Sequence, residues 1–135
     1  MKFKHIGTFI LLGCATLANA EKNDKLYNLY LQKSLNLEKK YIACSQMPAG
    51  EKANACIYSV RDAYTDLIKS IRKSSGSNVD EKLWQRLNIN FEAAKDTCGS
   101  SLNTEYPNPH YEPFHACAHT IEYAFFTTTI NLHYQ

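Results

Sequence analysis

Four stretches of this chain repeat apolar residues at intervals of three and four, and helix-breaking residues separate them, a pattern that commits most of the sequence to helix. Leu26, Tyr30, Leu37, Tyr41 and Cys44 mark the first, from Asp24 to Cys44, and Gln46-Met47-Pro48-Ala49-Gly50 ends it. Cys56, Val60, Ala63, Tyr64, Leu67 and Ile71 mark the second, from Glu51 to Lys73, with Arg61, Asp62, Asp66, Lys69 and Arg72 expected on its wet side. Ser74 to Asn78 form a breaker, after which Asp80 and Glu81 place negative charge in a first helical turn. Leu83, Leu87, Phe91, Ala94 and Cys98 carry the third stretch to Gly99. Residues 100–113 contain Pro107, Pro109 and Pro113 and no helical period, which predicts a loop. Phe114, Ala118, Ile121, Phe125 and Thr128 define the fourth, whose Thr127-Thr128-Thr129-Ile130 run has poor helix propensity and is expected to fray. Two short connections and one long one predict an all-α fold, a small antiparallel helical bundle.

The first twenty residues are read apart from that domain. Met1 to His5 form a basic start, Ile6 to Leu12 a short apolar core, and Ala18-Asn19-Ala20 a small-x-small cleavage site, so residues 1–20 are expected to be a signal peptide and 21–135 a single helical domain. The leader holds Lys2 and Lys4 and no acid, so its removal takes the net charge from +2 to zero. A chain of that charge is not expected to bind nucleic acid. Leu11-Leu12-Gly13-Cys14 supports a rival reading, a lipoprotein anchored at Cys14. No run of about 18 apolar residues occurs, so a membrane-spanning helix is not expected.

Setting Cys14 aside leaves Cys44, Cys56, Cys98 and Cys117, an even number in a small chain read as exported, which points to two disulfides. The intervening stretches of 11, 41 and 18 residues contain no C-x-x-C pair of the kind zinc sites use. In an up-down-up-down bundle all four thiols gather at one end. Four cysteines allow three connectivities; closing the two local loops pairs Cys44 with Cys56 and Cys98 with Cys117, and the second bridge would tie the proline-rich loop at its base.

Phe91, Lys95-Asp96, Cys98, a polar loop and Cys117 opening a terminal helix, together with the Cys-x11-Cys pair, resemble the LprI-like lysozyme-inhibitor family of small exported helical bacterial proteins. The similarity spans about Ala43 to Leu132. Members usually carry Trp where this chain has Phe91, and a Gly-Gly-Ser-like loop where it has Tyr-Pro-Asn-Pro-His-Tyr. The resemblance implies a protein partner, a lysozyme-type muramidase.

Candidate contact residues lie in the loop. Tyr106 and Tyr111 flank Pro107-Asn108-Pro109-His110, and stiff aromatic loops bury much area at low entropy cost. Tyr106, His110 and Tyr111 are expected to enter the partner's cleft, with Glu105 or Glu112 meeting a basic group. His110, His115 and His119 could bind a metal, since 115 and 119 share a helical face, but no H-E-x-x-H motif completes a site, and the two are read as partly exposed helix-start residues. With the cysteines bridged and no serine in a nucleophile elbow, neither enzyme activity nor a cofactor is expected. The expected function is binding, with lysozyme inhibition first. An envelope immunity protein against a peptidoglycan-attacking toxin, and a periplasmic metal- or small-ligand-binding module, stand as alternatives.

Overall fold

A computed structural model describes residues 7–74, 79–103 and 112–134 of the chain. It contains α1 (Gly7–Ser45), α2 (Glu51–Ser74), α3 (Glu81–Asn103) and α4 (Glu112–Tyr134), and no strand among the described residues. The helices alternate in direction. Glu38 of α1 meets His119 of α4 and Tyr27 meets Asn131, so these two run antiparallel. Asn54 with His115 and Arg61 with Glu122 make α2 and α4 parallel. Cys98 with Cys117 and Trp84 beside His133 make α3 antiparallel to α4. Thus α2 and α4 form the middle of the bundle, α1 covers both on one side, and α3 packs on α4 on the other.

The disulfides are Cys44–Cys56 and Cys98–Cys117, with Cα atoms 5.5 and 5.8 Å apart. The alternating topology puts both at one end, as the spacing of the cysteines predicts. No helix among the described residues is long and apolar enough to cross a membrane.

Helix ends follow local chemistry. Asp80 caps α3 through Oδ1, which accepts the Lys82 N–H at 2.8 Å. Gly50 precedes α2 with φ +156°, a conformation L side chains rarely adopt. Three bounds differ from the sequence reading. The first helix extends upstream of Asp24 into the expected leader as far as Gly7, because Ala15 to Lys22 contain no breaker. The third passes Gly99 to Asn103, since one glycine costs a helix only about 1 kcal/mol and the bridge one residue earlier holds this end against α4. The fourth begins at Glu112 and takes Pro113 into its first turn, where a missing N–H is not needed. The connection is therefore residues 104–111, shorter than the loop expected over 100–113.

One continuous core lies on both sides of α4. Between α1, α2 and α4 lie Tyr30, Val60, Tyr64, Leu67, Ile71, Phe126 and Ile130. Between α3 and α4, Phe125 stacks on Trp84 at 5.2 Å and on Phe91 at 4.4 Å. The stripe of α3 is shifted from the one expected: Leu83 is exposed and Trp84 buried, because Trp84, Phe91 and Cys98 recur every seven residues and the larger ring displaces leucine from the interface. The threonine-rich run of α4 does not fray. Thr129 and Ile130 are fully buried and the Thr129 hydroxyl donates to the Phe125 carbonyl at 2.7 Å, so tertiary packing overrides propensity.

Candidate functional site

Because α4 packs against α1 and α2 on one side and α3 on the other, it buries more of its circumference than its composition can fill with apolar atoms. His115, His119, Glu122, Thr129 and His133 are all less than a tenth exposed, and buried polar groups require partners. This corrects the expectation that His115 and His119 are partly exposed. His115 reaches Asn54 Oδ1 of α2 through Nε2, with the Tyr58 ring edge-on at 5.4 Å. His119 lies flat on Tyr41 with ring centroids 3.6 Å apart, and its Nε2 stands 3.0 Å from a Glu38 carboxylate oxygen.

Glu38 is the hub of this network. It also accepts the hydroxyl proton of Tyr64, whose ring is fully buried between the helices. The Ser34 hydroxyl lies 3.0 Å from the Tyr64 oxygen; donating there, it leaves the phenolic proton for the carboxylate. Burial first, and then the hydrogen bond to Glu38, push the Tyr64 hydroxyl well above the ordinary tyrosine range. A phenol that holds its proton so firmly is a permanent donor and not a base. The network therefore works as a clamp that sets α1, α2 and α4 in one register.

A second polar pair joins α2 to α4. Arg61 Nε donates to Glu122 Oε1 at 2.9 Å, with side chains 15% and 7% exposed. Arg61 thus leaves the wet side assigned to it: its guanidinium turns inward because a buried carboxylate needs a partner. Arg72 departs as well, lying over the Trp84 ring at 4.3 Å while pairing with Glu81 at 2.6 Å. No group of three or more His, Cys, Asp or Glu residues is placed to hold a metal among the described residues. No family model, curated protein or solved structure matches this chain.

The residues expected to touch a partner fall where the description stops. Glu105, Tyr106, His110 and Tyr111 lie outside the described residues, and Glu112 opens α4 with its side chain outside them. The structure does describe the base of that segment. Cys98 lies in α3 and Cys117 in the second turn of α4, so the bridge pins the helices at 5.8 Å. Beside this end, Cys44, Ile57 and His115 help line a cleft of about 220 Å3. Ser34, Glu38 and Glu122 were missed by sequence reasoning. Their signal was available: each is a polar residue in phase with an expected stripe, Ser34 four residues after Tyr30, Glu38 three before Tyr41 and Glu122 four after Ala118.

Proposed function

We propose that the chain is an exported binding protein that inhibits a lysozyme-type muramidase through the segment between α3 and α4. The observation that carries this reading is the Cys98–Cys117 bridge at the base of that segment. Residues 104–111, with Tyr106 and Tyr111 around two prolines, join α3 to α4 between the two bridged cysteines. Anchoring both ends lowers the ordering cost that a partner must overcome, which favours binding through a few aromatic contacts. Two disulfides fit an oxidising compartment and so support export, with a soluble protein cleaved after Ala20 preferred to an anchor at Cys14. The muramidase rests on the family resemblance.

The test is a lysozyme turbidity assay with the oxidised protein. Wild type should inhibit, and Tyr106→Ala or Tyr111→Ala should weaken inhibition about thirtyfold, the effect of truncating a central anchor. Asp62→Ala, on the exposed face of α2, should act as wild type. Equal inhibition by all variants would move the contact surface off this segment, and no inhibition by wild type in micromolar excess would remove the muramidase as partner.

A further inference from the structure

After Glu112, α4 contains no Lys, Arg or Asp, and its one Glu, Glu122, is buried against Arg61. Yet Ala116, Thr120, Tyr123 and Asn131 of this helix are exposed. A helix face turned to water ordinarily carries charge, as α2 does with Asp62, Asp66 and Lys69, and a helix without charge is ordinarily covered all round. The uncovered strip continues onto the helices on either side, because α1 and α3 both pack on α4 and not on each other. Tyr27 and Glu38 meet α4 and so mark the edge of α1 beside it; Leu35 and Ile42, three before and four after Glu38, extend that edge. Towards α3, Leu83 and Leu132 stand one residue before Trp84 and His133, whose rings meet. Leu35, Ile42, Leu83, Tyr123 and Leu132 are between 38% and 53% exposed. Large apolar side chains spread over three adjacent helices around an uncharged strip mark an interaction surface.

We propose that this face, formed by α4 with α1 and α3 at its sides, is the interface of a symmetric homodimer. Area supports a whole protein surface as the occupant. From Ala116 to Asn131 α4 advances about 23 Å, and a helix on either side at an interaxial distance of about 9 Å widens the face to about 28 Å, side chains included. The flat projection is about 640 Å2 before side-chain relief is counted, close to the accessible surface of about 800 Å2 that each partner gives to a stable interface. A lone peptide helix, about 10 Å across, would cover the strip and leave Leu35 and Leu83 at the rims wet. Charge selects a second copy. The α4 strip has no charge to pair with an acidic or a basic partner, whereas another copy presents the same uncharged helix and, with a net charge of +2, repels little. Two copies of one face meet about a twofold axis, the commonest closed arrangement, so the middle of the strip, Thr120 and Tyr123, lies against its own counterpart. This face is separate from the 104–111 segment, and the inference does not depend on the muramidase reading.

Sedimentation equilibrium of the oxidised protein tests this. Wild type should reach twice the chain mass at about 100 μM, with dissociation in the micromolar range, the weak end for an interface of this size. Thr120→Arg and Leu35→Lys place a charge in the face at positions already exposed, so the fold should keep its far-UV circular dichroism and Tm. Each should weaken the dimer at least about tenfold, because the introduced charge is desolvated on association and, at Thr120, meets its like across the axis. Ile89→Lys changes a side chain that is 65% exposed on the far side of α3 from Trp84 and Phe91, and should dimerise as wild type does. A wild type that stays monomeric at about 100 μM would leave the face to a different partner and overturn the proposal. Undiminished association of folded Thr120→Arg would place the interface elsewhere, and an equal loss in Ile89→Lys would show unspecific apolar contact; either result also overturns it.

Discussion

Tyr64→Phe removes one oxygen from the centre of the bundle and leaves the ring in place. The ring is fully buried and packs edge-on against Phe126 at 5.7 Å and His119 at 5.7 Å, so the substitution creates almost no cavity. What is lost is the donor to Glu38 and the acceptor for Ser34. A hydrogen bond to a charged group contributes about 1.5 to 3 kcal/mol. The Glu38 side chain is 31% exposed and recovers part of that from water, while Ser34 is buried and can turn to a carbonyl one helical turn back. The expected cost is therefore about 2 kcal/mol, or a fall of about 8 °C in Tm for a domain of this size. Urea denaturation checks it, with the midpoint lowered and the slope unchanged. Glu38→Gln and the double variant complete a cycle in which the two sites should couple by about 1 kcal/mol. Tyr123→Phe, on an exposed tyrosine, should change stability by less than about 0.5 kcal/mol. If Tyr64→Phe matches that control, or if the coupling with Glu38 is zero, the network does not clamp the helices.

Opening the bridges, which close sequence separations of 12 and 19, should cost about 3 kcal/mol each, so dithiothreitol should lower Tm strongly in a thermal melt. EDTA should leave Tm unchanged, and unfolding by EDTA would show that the protein depends on a metal. Stability should also fall in alkali: burial raises the Tyr64 and Tyr134 hydroxyls above the usual value near 10, so the folded state holds these protons more tightly than the unfolded chain. Their contribution is whole below about pH 10 and is lost as pH rises beyond it, and urea midpoints measured from about pH 9 to about pH 11 should fall more steeply for wild type than for Tyr64→Phe.

Periodicity and breakers are local properties, so four helices, their order and an alternating topology that gathers the four cysteines at one end were legible in the sequence, while the choice of Cys44–Cys56 and Cys98–Cys117 among three connectivities came from the structure. The sequence also marked Tyr30, Val60, Tyr64 and Phe125 as core, because an apolar residue in phase with its neighbours is buried whichever helix covers it. It could not decide how far round α4 the burial extends. That depends on α2 and α4 lying parallel at the centre with a helix on each side, a relation between segments about sixty residues apart. Such packing turns His115, His119 and Glu122 inward and selects Asn54, Glu38 and Arg61 to meet them. The same packing keeps the α2 and α3 backbones apart, and side chains such as Arg72, against Glu81 and Trp84, span the space between them, a relation that no single helix records. A stripe states which face of a helix avoids water; which polar group that face must satisfy is set by the side chain brought opposite, and that is decided by tertiary structure.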